Sequence, residues 1–316
     1  MGDPAGIGLE IAAKAWAALR RSGPAFALIA DPEAVRATGA PVQAVADIRE
    51  APGCFPEALP VLERALARAA APGRPDPANA EAILDSIRQG VALALAGAAG
   101  GLVTLPIAKH VLYQAGFAFP GHTEFIADLS GAETPVMMLA GPSLRVALAS
   151  IHVPLRAAPD LITRERLLAV ARVTLQALSR DFGIAQPRLA IAGLNPHAGE
   201  AGALGREELE VINPAAAELR AEGFDVTDAR PADSLFHAEA RATYDAALAM
   251  THDQGLIPIK TLHFWDAVNL TLGLPIVRAS PDHGVGFDIA GRGLARPDSL
   301  IAALRLASEL AARREA

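Results

Sequence analysis

Leu144-Arg-Val-Ala-Leu-Ala-Ser150 is an apolar run that passes directly into Ile151-His152-Val153-Pro154. The same arrangement recurs twice. Arg188-Leu-Ala-Ile-Ala-Gly193 leads into Leu194-Asn-Pro-His197, and an apolar stretch at 246–250 leads into Thr251-His252-Asp253. Short apolar runs bounded by Gly, Pro and polar residues read as buried strands, and 163–182 and 206–222 between them read as helices. Strands alternating with helices predict an α/β architecture with a largely parallel sheet. The segments just past strand carboxyl ends converge on one edge of such a sheet, where open α/β folds bind ligands. Three neutral imidazoles there could hold Zn²⁺ or a similar ion with a coordination position left open. Each histidine taken singly is equally a loop residue satisfied by local hydrogen bonds. Spacings of 45 and 55 residues make any such site tertiary, not a local metal motif.

Working outward, residues 1–8 form a Gly-rich loop followed by a helix from Leu9 to about Arg21. A buried strand is predicted at 25–30, and much of 51–78, rich in Pro, Ala and Gly, reads as a surface excursion. Asn79 is the expected cap of a long helix reaching about Ala96. A strand follows at 101–104. Residues 136–140 and 144–150 pair as neighbours across Gly141-Pro142, 268–273 alternates like a strand, and 298–314 closes the chain as an amphipathic helix. There is no internal repeat and no clean linker, so two lobes are expected to interleave.

Size and composition limit the function. A chain of 316 residues, 52% hydrophobic, supports two α/β lobes with a well-buried core. Aromatic residues at 4% and a net charge of −7 with scattered basic residues argue against a nucleic-acid partner. Any anionic ligand must therefore be held by a few placed cations. Cys54 is the single cysteine, which excludes an intrachain disulfide or a cysteine metal site and fits a reducing cytosol. The N-terminus lacks the regions of a signal peptide. The most apolar stretch, 91–105, is glycine-broken and too short to span a bilayer. A cytoplasmic protein with no membrane partner is expected.

Lys260, Asn269 and Arg278 recur at intervals of nine. Arg278 emerges from an apolar context, where a guanidinium requires a carboxylate or phosphate partner, either in a ligand or in a structural ion pair. Gly121-His122-Thr123-Glu124 adds donors that could reach the same anion. Gly2-Asp-Pro-Ala-Gly-Ile-Gly8 looks like a phosphate-cradling loop but lacks Walker spacing, and no strand precedes it as a Rossmann fingerprint requires. It reads better as an architectural turn packing the first helix.

These motifs together resemble the 4-hydroxythreonine-4-phosphate dehydrogenase family of vitamin B6 biosynthesis. The matching segments are Gly2–Gly8, Thr104-Leu-Pro-Ile-Ala-Lys109, Gly121–Glu124, His152-Val-Pro-Leu155, Leu194-Asn-Pro-His-Ala-Gly-Glu200, Pro231-Ala-Asp-Ser234, His252-Asp-Gln-Gly255, Val268-Asn-Leu-Thr-Leu-Gly-Leu-Pro275 and Ser280-Pro-Asp-His-Gly284. They run in family order along nearly the whole chain. The resemblance implies a two-lobed fold like the isocitrate and isopropylmalate dehydrogenases, with the active site in the inter-lobe cleft. The expected lobes are 1–121 plus 281–316 on the cofactor side and 122–280 on the metal and dimer side. It further implies a divalent metal (Zn, Mg or Co) held by His152, His197 and His252 and shared across a homodimer. Substrate would be held by His122, Thr123, Lys260, Asn269 and Arg278, with NAD or NADP as cofactor. Asp233 and Asp253 match acidic positions of the same pocket and are candidate catalytic residues. Lys109 is a candidate proton donor or cofactor contact, or else a solvated lysine opening a helix. The segment 283–293 resembles the adenosine-binding loop of isopropylmalate dehydrogenases, which makes His283, Gly284 and Asp288 candidate cofactor contacts; a Gly-rich turn entering the last helix is the alternative.

The implied reaction oxidises the secondary hydroxyl of 4-phosphooxy-L-threonine and decarboxylates the product to 3-amino-2-oxopropyl phosphate. Rivals within the family act on 4-phospho-D-threonate, 4-phospho-D-erythronate or a dihydrodiol dicarboxylate; a rival outside it is a metal-dependent phosphohydrolase. The sequence departs from the family pattern at three positions near the site (Leu105, Thr251 and Trp265-Asp266). It also departs where Met1 abuts the glycine loop: the family has a short apolar strand before it, so either the start site is short or the first sheet lacks one strand.

Overall fold

The computed structural model describes residues 1–315. The chain divides into two compact units, one formed by Met1–Ala132 with Leu274–Ala312 and the other by Glu133–Gly273 with the residues from Arg313 onward. Both crossings lie a short way from the expected 121/122 and 280/281. Helix His122–Ser130 belongs with the first unit because Phe125 and Ile126 pack with Ile83 and Ile87 of helix Ala80–Leu95. Strand Val277–Pro281 belongs there because it pairs in parallel with Gly101–Val103.

The first unit also holds a three-stranded parallel sheet ordered Leu28–Ala30, Leu59–Glu63, Val42–Val45. Its middle strand corrects the reading of 51–78 as surface. Leu59, Val61 and Leu62 are buried, and Pro60 is tolerated within the strand despite lacking a ladder donor. Asn79 is also corrected. Its side chain makes no cap and instead accepts from Arg68 N and donates to Arg68 O, both at 3.0 Å. Asp76 caps the preceding turn by accepting from Ala78 N. The helix Gly8–Leu19 buries Leu9, Ile11, Ala12, Ala15 and Leu19, an i, i+3, i+4 stripe, in a core shared with Leu59, Val61 and Leu300.

The second unit contains six strands in the order Val268–Leu272, Val136–Gly141, Leu144–Leu148, Ala246–Ala249, Arg188–Ile191, Asp225–Val226. The first three are antiparallel neighbours, Asn269 facing Leu139 and Met138 facing Ala147. The last four pair in parallel, Val146 with Ala247, Ala190 with Ala247 and Leu189 with Val226. Helix Arg164–Arg180 starts where Thr163 accepts from Arg166 N. The helix expected over 206–222 opens instead with a π turn, Glu208–Ile212, before Asn213–Ala221.

Asp181, 2% exposed in its side chain, ends helix Arg164–Arg180 and accepts hydrogen bonds from Arg180 and Arg314. Burial alone would raise its pKa, but the bonds from Arg314 and Arg180 outweigh it and hold the carboxyl below the usual range. A depressed carboxylate stabilises the fold above its unfolded pKa, and that stabilisation is lost as pH falls through the folded value. Asp181→Asn should therefore cost about 1–3 kcal/mol near neutrality, since it removes the buried carboxylate that accepts from the half-buried Arg314 and from Arg180. Urea unfolding should show the gap between wild type and variant narrowing below about pH 4.

Candidate active site

Within the second unit, three adjacent parallel strands (Leu144–Leu148, Ala246–Ala249 and Arg188–Ile191) end on one edge, and the segment after each carries one histidine. His152 and His252 come together, with ring centroids 5.7 Å apart. Gly255 permits this approach. A Cβ there would lie 2.6 Å from Leu148 Cδ2 and 2.9 Å from Val146 Cγ1, so helix His252–His263 seats directly on the strand that delivers His152. Gln254 aligns the edge further, accepting from Met250 N and donating to Gly193 O, each at 2.7 Å.

His197 stands in a different backbone setting. Residues His197, Ala198, Glu200 and Ala201 all have φ between 44° and 54°, with Gly199 at 80° between them. The left-handed region costs a non-glycine residue roughly 1–2 kcal/mol, so four of them in one turn are held only by strong surrounding contacts. His197 is 64% exposed in its side chain, with Nδ1 2.8 Å from Glu200 Oε2, and His252 Nδ1 lies 2.8 Å from Asp253 Oδ1. A carboxylate on Nδ1 fixes the ring and leaves Nε2 as the outward nitrogen, the usual second-sphere arrangement of metal-binding histidines. Asp253 is thus the orienting partner of His252, while Asp233 lies exposed on the short turn Ala232–Ser234. Among the described residues, no group of three or more His, Cys, Asp or Glu in one chain is arranged to hold a metal ion. The donor chemistry fits a metal, and one chain brings two of the three imidazoles together. Lys260 sits on helix His252–His263, its Nζ 6.0 Å from the Phe264 ring centroid, and Asn269 on strand Val268–Leu272 has a buried Oδ1 with no hydrogen-bond partner.

The first unit gathers a separate cationic corner. Arg278 is 4% exposed, and its Nη2 donates to Thr104 Oγ1 at 2.7 Å. Burial lowers its pKa to about 10, against the opposing pull of Glu124. His122 opens helix His122–Ser130, and its Nε2 is covered and without a hydrogen-bond partner. Desolvation first, then the charges of Arg278, the N-terminus and Lys109, hold His122 well below an ordinary imidazole pKa, so the ring is neutral. Thr123 follows it in the first turn. A Cβ on Gly121 would stand 3.2 Å from Lys109 Cε and Nζ, so the end of the lysine lies close against the start of that helix. A helix N-terminus flanked by a lysine, an arginine and a neutral imidazole donor is suited to an anion.

The loop at 2–8 is structural. A Cβ on Gly2 would meet Pro106 O at 2.3 Å, Asp3 Oδ1 accepts from Ala5 N, and Ile7 N donates to Val285 O at 2.9 Å. Burial raises the pKa of Asp3, against the Ala5 hydrogen bond and the charge of His110. The loop thereby supports the segment bearing His283, whose Nδ1 is 3.0 Å from Gly284 O and whose Nε2 is covered and without a hydrogen-bond partner. Gly284 has open space where a side chain would be, and Asp288 is exposed. Met1 N donates to Ile29 O and Ser86 Oγ, and a cavity of about 360 Å³ lies beside it, lined by Leu28, Ile29, Ile87, Leu102 and Leu304. The three-stranded sheet and the pair formed by Gly101–Val103 with Val277–Pro281 belong to separate sheets. No described helix is long and apolar enough to cross a membrane.

With this geometry in place, a family profile described as pyridoxal phosphate biosynthetic protein PdxA matches residues 24–307. The chain belongs to this family. It is 58% identical over 321 residues to 4-hydroxythreonine-4-phosphate dehydrogenase of Caulobacter vibrioides, covering 99% of this chain and 96% of the relative. The Maricaulis maris protein of the same name is 56% identical over 327 residues, covering 98% of this chain and 96% of the relative. Among solved structures, 4-hydroxythreonine-4-phosphate dehydrogenase from Klebsiella pneumoniae superposes with a TM-score of 0.87 at 36% identity, covering 98% of each chain. A terephthalate 1,2-cis-dihydrodiol dehydrogenase from Burkholderia xenovorans gives 0.67 at 32% identity, covering 98% of this chain and 96% of that one. The chain is therefore an enzyme of the dehydrogenase class with an α/β fold. Sequence reasoning named the histidines and cations but missed Thr104, Asn195 and Glu208, whose roles depend on contacts that no local pattern announces.

The neutral His122 gives a pH signature. Its native pKa is depressed, so the unfolded chain takes up a proton that the folded one refuses, and stability falls as pH drops below about 6.5. The slope attributable to this ring is at most about 1.4 kcal/mol per pH unit. His122→Asn should flatten the urea-unfolding profile between pH 6.5 and 5; an unchanged slope would mean the ring is protonated in the folded protein.

Proposed function

We propose that this enzyme oxidises 4-phosphooxy-L-threonine at its secondary hydroxyl with NAD⁺ or NADP⁺, the product losing CO₂ to give 3-amino-2-oxopropyl phosphate in pyridoxal 5′-phosphate biosynthesis. The observation that carries this reading is the corner where the buried Arg278, the covered Nε2 of His122 and the exposed Lys109 meet, a set suited to an anion, on a chain whose relatives of 50–58% identity share one dehydrogenase name.

Each residue has a task suited to its position. Arg278, preset by Thr104, offers its planar fork to the phosphate. His122 donates from its neutral ring, Thr123 adds a hydroxyl, and the free helix N–H groups complete the cradle. In the second unit, Lys260 and Asn269 are assigned to the substrate as well. Remote binding of this kind positions the reacting carbon. Lys109 and Asp233 are the candidate proton carriers, and Asp253 holds the His252 ring in one tautomer. His152, His197 and His252 would hold a divalent metal (Zn, Mg or Co), which when bound lowers the pKa of the substrate hydroxyl and stabilises oxyanion charge. Two of these rings meet within one chain, which supports a homodimer in which a second copy completes the set. His283, Gly284 and Asp288 are assigned to the nicotinamide cofactor, the covered Nε2 of His283 being a ready acceptor while Nδ1 faces Gly284 O. A cytoplasmic location accords with this chemistry.

Absorbance at 340 nm should rise when the protein receives 4-phosphooxy-L-threonine with NAD⁺ or NADP⁺, and exhaustive chelation should abolish the rise. Reduction of neither cofactor under any metal supplementation would sink the reading. Arg278→Ala should raise KM about 100-fold, the value of one charge-assisted hydrogen-bond pair near 3 kcal/mol, with kcat changed only a few-fold. His197→Ala should remove metal-dependent turnover and leave the circular dichroism spectrum intact.

A further inference from the structure

Glu208 is 2% exposed and packs against the loop that carries His197, at the first position of the π turn Glu208–Ile212 that follows it. Its Oε1 accepts from Asn195 N at 2.8 Å and its Oε2 from Asn195 Nδ2 at 3.0 Å, while Glu207 Oε2 takes a second bond from the same amide at 2.7 Å. The loop backbone is shaped around this carboxylate. A Cβ on Gly199 would stand 2.6 Å from Glu208 Oε2, and one on Gly193 would stand 3.2 Å from Oε1. Gly205, at φ 137°, leaves room for Asn195, whose Nδ2 would be 2.3 Å from a Cβ there. The carboxylate thus holds Asn195 at the entry of the turn and lies against the backbone at Gly199 inside it, the turn that carries four left-handed non-glycine residues, His197 among them. Nothing in the helical pattern of 208–221 calls for a buried glutamate, and the π turn at its start is where such irregularities accompany function.

We infer that Glu208 is the positioning residue of this loop: it holds residues 196–201 in the left-handed turn and so sets the direction in which His197 presents Nε2. It touches neither substrate nor metal. The inference rests on the metal reading of His197 for its consequence, and on the Asn195 contacts and glycine clearances for its cause. Glu208→Gln preserves size but turns one acceptor into an NH₂ group facing the Asn195 amide or the Gly199 backbone, so the grip is lost without opening a large cavity.

The test uses the full-length protein and Co²⁺ as the probe, with binding read by calorimetry and by the visible absorption of the bound ion. Backbone hydrogen exchange is followed in parallel. Glu208→Gln should weaken Co²⁺ binding at least tenfold and speed exchange over 194–205 at least tenfold, with exchange in helix Arg164–Arg180 unchanged. Should that variant fail to fold, Asn195→Ala removes two of the bonds from the other side and should give the same pattern, with a three- to tenfold loss. Wild-type affinity and wild-type loop exchange in the folded variant overturn the inference while leaving the metal reading standing. A wild-type protein that binds no Co²⁺ overturns the metal reading, and the inference with it. Loss of binding accompanied by faster exchange throughout the unit also overturns it, since Glu208 would then be a general stability residue.

Discussion

The parallel registration of three short strands governs the chemistry of the second unit. Val146–Leu148 aligns with Ala247–Ala249, and Leu189–Ile191 aligns with Ala246–Leu248. Because the alignment is parallel, all three carboxyl ends fall on one side, and residues 45 and 55 apart in sequence are delivered to one edge. A slip of one residue in any strand would exchange its two faces and set Val146, Ala190 or Ala247 against the wrong packing neighbours. The apolar pattern that buries those side chains therefore also places the histidines. Gly255 and Gln254 refine the result, the first by closing the helix onto the sheet and the second by tying two strand ends together.

This division explains what could be read in the sequence. Strand runs such as Leu144–Leu148 and Arg188–Ile191 were legible because burial on both faces leaves a continuous apolar signature. Leu59–Glu63 was not, because Pro60 and the Pro- and Gly-rich flanks carry the composition of a loop while tertiary packing makes the segment a middle strand. Asn79 had the residue type of a cap and was recruited for a different task, stapling Arg68 across the surface. Local preference is a weak guide wherever a side chain can reach a longer-range partner. The site followed the same rule. Its imidazoles and guanidinium were visible as types in suggestive places. The contacts that orient them were not, since the Thr104 hydroxyl meets Arg278 across 174 positions.

Burying Arg278 and His122 together is costly for the protein without a ligand. Burial pulls the guanidinium pKa down to about 10, and the charge of Arg278 adds to desolvation in disfavouring a protonated His122. A fold selected for stability alone would fill this corner with apolar side chains, as replacements of buried charges elsewhere have shown. A guanidinium held this dry would make each hydrogen bond to a bound anion stronger than it is in water. His122 fits such a corner because its neutral ring can donate a hydrogen bond without adding a further positive charge beside Arg278.

The second unit stores its cost in backbone geometry. Non-glycine residues rarely enter the left-handed region even singly, and here four do so within five positions. Such a turn would relax spontaneously if it were exposed and unsupported. It persists because a buried carboxylate accepts both the backbone and side-chain N–H groups of Asn195, and because glycines at 193, 199 and 205 let the chain close around it. The two units thus bear their costs by different means: one dehydrates a guanidinium, the other strains the chain that carries an imidazole. In both, the compensating contacts lie beside the costly group, in Thr104 for the first and Glu208 for the second.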